Sequence, residues 1–218
     1  VSTLNTIKAL LPLLAWAAIM QAQGALAQAP AGPRTPSPST AREAAPPADT
    51  AMRDARETSA FCANCHGADG NSLFPEVPNL AGQNPAYLLE QIRKFGTGER
   101  KNEFMQQMIR VLSDKDMRAI AQFYAQQTVK PRTGGDPTQI EKGRQWFTKL
   151  CFRCHGNDGR GNEKIARIAG QQAGYVELTL KRYRSGSGER IDAQMAANTS
   201  VLTDADIRAL ALYLSHQP

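Results

Sequence analysis

Aromatic side chains make up only 6% of this 218-residue chain. So few large rings leave core volume unfilled, and a bulky apolar prosthetic group would supply it. No apolar run approaches the ~20 residues of a membrane-spanning helix; the stretch Ala9 to Met20 is 12 residues long and contains Pro12. Alternation of apolar and polar residues is missing too, so no strand is expected and the fold class reads as all-α. Neither half is a basic block. Residues 51–133 hold 11 basic and 9 acidic side chains and residues 134–218 hold 12 and 9, which argues against a nucleic-acid partner. Cysteine and histidine are rare, four and three, and where they fall is the main clue to chemistry.

The first 27 residues carry Lys8, the apolar run, and then the small-residue pattern Ala25-Leu26-Ala27. That order predicts a signal peptide cleaved after Ala27 and a periplasmic, exported protein. An uncleaved anchor is the competing reading, and it would give a loose membrane association. Residues 28–50 are rich in Pro, Ala and Ser and read as a disordered tether.

What the chain does have is an internal repeat. FCANCHGADG (61–70) matches LCFRCHGNDG (150–159), and NLAGQNPAYLLEQIRKF (79–95) matches RIAGQQAGYVELTLKRY (167–183). The segments 98–124 and 188–214, both opening Gly-Glu-Arg, complete the series at an offset of 88 to 90. Blocks in one order at one offset mark a tandem duplication. The expected domains are 51–130 and 138–218, joined by a linker at 131–137. Each repeat should hold a helix leading into the Cys motif (51–63; 137–151), an amphipathic helix (85–95; 173–184), a Met-bearing segment, and a final helix opened by Ser113 or Thr203 with an Asp three positions later.

All four cysteines lie in two Cys-x-x-Cys-His motifs: Cys62, Cys65 and His66, then Cys151, Cys154 and His155. Two thiols one helical turn apart can add to the two vinyl groups of a haem, and the adjacent His then sits under the iron. Two disulfides would leave the histidines unexplained, as would a four-thiolate zinc site. A thioredoxin-like pair needs a βαβ context that is missing. Two covalent haem c groups are therefore expected. The sixth iron position calls for a second ligand in each repeat. The second repeat offers only Met195, and alignment on Gly-Glu-Arg sets Met105 opposite it. Met108, one turn beyond Met105, is the alternative. His216 has no counterpart in the first repeat and reads as a surface residue. Each proximal His needs its other ring nitrogen held, usually by a backbone carbonyl; Pro78 is placed for this, with Ala166 at the matching position.

These motifs, CxxCHGxDGNS at 62–72, NLAGQ at 79–83, LSDKD at 112–116 and the duplication itself, resemble the class I c-type cytochromes, and more closely the dihaem cytochrome c4 family. The resemblance implies two tandem class I cytochrome c domains packed face to face, each wrapped around one haem. It implies iron held by His66 with Met105 and by His155 with Met195. It further implies an electron-transfer protein rather than an enzyme, passing electrons from a donor such as a quinol-oxidising complex toward an acceptor such as a haem–copper oxidase. The alternative is the cytochrome subunit of a larger dehydrogenase, such as a sulfide-oxidising flavocytochrome.

Overall fold

The computed structural model describes residues 48–218, which lie in one compact unit, Ala45–Pro218. The signal-peptide expectation and most of the tether fall outside the described residues. Among the described residues every regular element is helical, and no helix is long and apolar enough to cross a membrane. In the first repeat these are α1 (Ala48–His66), α2 (Pro85–Thr97), α3 (Glu103–Ile109) and α4 (Asp114–Ala125). The second has α5 (Pro137–Trp146), a π-helical turn (Phe147–Cys151), α6 (Phe152–His155), α7 (Ala173–Ser185), α8 (Ala193–Thr199) and α9 (Asp204–Ser215).

The punctuation follows local chemistry. Pro85 and Pro137 sit in first turns, where the missing N–H costs nothing. Both final helices open with reciprocal capping boxes, Ser113 with Asp116 and Thr203 with Asp206. α1 stops at Gly67 (φ +82°), where a Cβ would lie 2.3 Å from the Asn71 carbonyl oxygen. Two features depart from the sequence reading. The Met-bearing segments are short helices, each begun by an Asx cap in which Asn102 or Asp192 accepts from the Met105 or Met195 N–H. The second leading helix is not continuous: it loosens into a π turn just before Cys154, with the Phe152 N–H bonding back to the Phe147 carbonyl. Nothing in the sequence marks that turn.

Each repeat closes on its own core. α1 and α2 pack on α4, burying Ala55, Leu88, Ile120, Phe123 and Tyr124. α5 and α7 pack on α9, burying Phe147, Leu180, Ile207, Leu210 and Leu214. The α5–α9 crossing is close because Gly143 has no side chain; a Cβ there would stand 2.1 Å from the Ala209 carbonyl oxygen.

The repeats meet through the two copies of the Ala-Gly-Gln motif. The Gln83 side chain accepts from the Arg167 N–H (2.7 Å) and donates to the Arg167 carbonyl (2.8 Å). Gln171 does the same to Asn79, at 2.7 and 3.0 Å. Gln83 and Gln171 are equivalent positions, as are Asn79 and Arg167, so the contact is self-complementary in the manner of a two-fold interface. His216 differs from its sequence reading. It is half-buried, its Nδ1 2.7 Å from the Leu212 carbonyl and its Nε2 against the Gly134 carbonyl of the inter-repeat segment.

Candidate haem sites

The last turn of α1 presents Cys62, Cys65 and His66 together. In the second repeat the π turn and α6 bring Cys151, Cys154 and His155 into the same relation. The four cysteines form no disulfide with one another. Burial pushes up the Cys62 thiol and pushes the Cys151 thiol up to about 12. Among the described residues no group of three or more His, Cys, Asp or Glu is placed to hold a metal ion, and the two Cys pairs do not converge on one site.

Both histidines are buried, at 8% exposure each. The Nδ1 of His66 lies 2.9 Å from the Pro78 carbonyl oxygen and the Nδ1 of His155 lies 2.9 Å from the Ala166 carbonyl oxygen. A carbonyl only accepts, so Nδ1 carries the proton and Nε2 keeps its lone pair. Burial lowers both imidazole pKa values and favours that neutral form. The exchange of Pro78 for Ala166 leaves the carbonyl in place, as the sequence suggested. Ser72 secures the first loop from below, its hydroxyl donating to the Cys65 carbonyl (2.7 Å) while its N–H donates to Asn79 Oδ1 (2.8 Å).

The surroundings suit a covalently held apolar macrocycle. Leu150, Cys151, Phe152, Ile168 and Met195 pack against the second core, and Cys62, Leu80, Leu89 and Leu112 against the first. Met105 and Met195 occupy the same third helical position of α3 and α8. Gln194, beside Met195, donates from Nε2 to the Cys154 sulfur at 3.4 Å, which ties the start of α8 to the Cys motif of its repeat. Paired thiols, a neutral imidazole with a free Nε2 and an apolar wall are what a haem c needs from a chain. Two groups of residues appear in the sequence only as parts of repeated blocks, with no sign of their partners: the glutamines that join the repeats, and Tyr87, Gln91, Arg100, Tyr175 and Arg190, which meet between them.

Comparison with known proteins agrees with this construction. Residues 140–218 match the cytochrome c family model, and residues 49–123 match that of subunit III of cbb3-type cytochrome c oxidase. Cytochrome c4 from Thiocapsa roseopersicina is 32% identical over 185 residues, covering 78% of this chain and 94% of that protein. The thiosulfate dehydrogenase electron acceptor of Thiomonas intermedia is 31% identical over 176 residues, covering 73% and 79%. The crystal structure of reduced recombinant cytochrome c4 from Pseudomonas stutzeri superposes with a TM-score of 0.70 at 30% identity, covering 77% of this chain and 98% of that one. The chain thus belongs to the cytochrome c4 family: it is an electron-transfer c-type cytochrome whose cofactor is covalently bound haem c.

Proposed function

We propose that the chain is a periplasmic carrier with two closed haem sites. In this reading Cys62 and Cys65 hold one haem and Cys151 and Cys154 the other. His66 with Met105, and His155 with Met195, supply the axial ligands. Haem then provides the one-electron chemistry. The chain's own part is to fix the imidazole tautomer through Pro78 and Ala166, exclude water with the two cores, and keep the same ligands in both oxidation states. The observation that carries the reading is the equality of the two half-sites: one histidine in each repeat, next to a Cys pair, buried to the same degree and held by a backbone carbonyl at the same 2.9 Å. An enzyme that activates peroxide would need one site built differently, with an open position.

The domain boundaries 51–130 and 138–218, cleavage after Ala27 and export belong to the same proposal. So do a quinol-oxidising donor and a haem–copper oxidase acceptor. A second donor class has an observation of its own: a relative covering three quarters of the chain is named an electron acceptor of thiosulfate dehydrogenase. Oxidation of inorganic sulfur compounds is therefore the alternative source of electrons, with the chain as a separate acceptor or as a subunit. Carbon monoxide tests the closed-site claim. The reduced protein at neutral pH should bind little of it and turn over no peroxide, while exchanging electrons quickly with small mediators. Stoichiometric binding at one haem together with enzyme-like peroxide reduction would replace the carrier reading with a catalytic one.

A further inference from the structure

The two cores differ at one matched pair of side chains. Counted from the small buried residues Ala55 and Gly143, Ser59 on α1 stands where the second repeat has Phe147. Tyr124 on α4 stands where it has Leu214. All four are buried, at 3% exposure or less. The second pair is wholly apolar, and the first brings two hydroxyls into a core. Ser59 spends its own on the Arg56 carbonyl of its helix, at 3.0 Å. The Tyr124 hydroxyl has no hydrogen-bond partner, and among the described residues it is the one buried side-chain polar atom in that state. Ser59 neighbours it outside bonding geometry. A buried donor without an acceptor carries the desolvation penalty of a bond never made, so in a native core it points to a missing partner.

The surroundings of the phenol say what that partner is. The Tyr124 ring lies against Gly70 in the loop after His66, where a Cβ would stand 2.8 Å from Tyr124 Cδ1. Cys62 follows Ser59 by three residues, so the two share a face of α1, and Cys62 packs against the core that contains Tyr124. Burial raises the pKa of the phenol and the Cys62 sulfur adds to the rise, so the hydroxyl keeps its proton and remains a donor. As a thioether, Cys62 has no proton of its own and can only accept. A cysteine sulfur already accepts from a side chain elsewhere in the fold, where Gln194 Nε2 donates to Cys154 at 3.4 Å. Cys151, the counterpart of Cys62, packs instead against the core of Phe147 and Leu214.

We infer that Tyr124 is a positioning residue for the first haem alone: its phenol donates to the thioether sulfur at Cys62, a bond that the second repeat replaces with apolar packing. The inference rests on the two-haem reading. A donor aims the positive end of its dipole at the haem, and in a core of low dielectric that favours the reduced, less positive iron. The bond raises the potential of one haem and leaves the other untouched.

The test is Tyr124→Phe in the full holoprotein, which removes the hydroxyl and keeps the ring. Resonance Raman spectra in ordinary and heavy water read the bond itself. Parent and variant both carry Gln194→Leu, so that Cys154 contributes no isotope shift. The parent should show a thioether C–S stretch that shifts in heavy water, and Tyr124→Phe should lose that shift. A redox titration should show one midpoint potential lowered, by roughly threefold in its ferric–ferrous equilibrium, with the other unchanged. Chemical unfolding should show a loss of stability, since removing a phenol that lacked a partner would instead be a gain. An isotope shift that survives Tyr124→Phe, movement of both potentials or of neither, or a gain in stability overturns the inference. If Tyr124→Phe fails to accumulate with two haems, the pair Ser59→Phe with Tyr124→Leu, which copies the second repeat, decides by the same three readings. A native protein with fewer than two haems defeats the carrier reading itself, before any variant is made.

Discussion

At His66 and His155 one hydrogen bond decides which ring nitrogen is available. The carbonyls of Pro78 and Ala166 accept a hydrogen bond from Nδ1–H, and Nε2 keeps its lone pair. In the proposed His/Met ligation the opposite ligand is less fixed by hydrogen bonding, and Met105 competes with Met108, which lies one turn further along α3. The shared third-position placement of Met105 and Met195 behind an Asx cap favours the first. Met105→Ala and Met195→Ala should each remove half of the sulfur-to-iron charge-transfer band of the oxidised protein. Met108→Ala should leave it whole. Loss of the band on Met108→Ala alone would move the ligand by one turn. The Cys-His motifs and the Met alignment were legible because they are local and occur twice. Tyr175, Arg100 and Arg190 were not, because nothing in a sequence tells a tyrosine that packs from one that bridges two arginines 90 positions apart.

Helix boundaries show the same division between local and distant causes. The capping boxes of α4 and α9 were readable from Ser113-x-x-Asp116 and Thr203-x-x-Asp206. The partners that make the second box different were not. Asp206 is buried, and besides Thr203 it accepts from Trp146 Nε1 (2.9 Å) and pairs with Lys142 (2.8 Å) on α5. Asp116 is half-buried and its hydrogen bonds stay within its own box. These interactions hold the Asp206 carboxyl well below its ordinary value of 3.8, with Lys142 contributing most. A carboxylate whose pKa is depressed by folding stabilises the fold above its unfolded pKa, and that contribution fades as pH falls through the folded value. Asp206→Asn should therefore cost the second repeat about 1–3 kcal/mol at neutral pH, with the difference from native shrinking as pH drops below 3.8. Asp116→Asn should cost less at every pH. Chemical unfolding at several pH values checks both, and an equal effect at the two positions would contradict the account. The α5–α9 crossing was hidden for another reason: Gly143 reads as an unfavourable helix residue until the Ala209 carbonyl is seen against it.

Across the whole molecule the duplication is put to use. The Ala-Gly-Gln motif was visible as a repeated block, but its glutamine was silent, because its partners sit 84 and 92 residues away. Gln83 and Gln171 each satisfy one N–H and one carbonyl of the opposite repeat, and both residues are buried. Replacing either by Leu strands two backbone groups. The loss should be about 1–3 kcal/mol for each group left unsatisfied, and it should fall on the junction rather than on either core. Calorimetry of Gln83→Leu and Gln171→Leu should then show the two repeats unfolding more independently than in the native chain. An unchanged transition would mean that the other junction contacts, such as the Lys101 N–H to the Glu189 carbonyl (2.9 Å), suffice. Each repeat should be a complete haem site of its own, and haem retained by the denatured chain measures that directly. The native protein should keep two haems per chain after denaturation. Cys62→Ser with Cys65→Ser should keep one, and Cys151→Ser with Cys154→Ser should also keep one. A native chain that retains a single haem, or that releases its haem on denaturation, would contradict it.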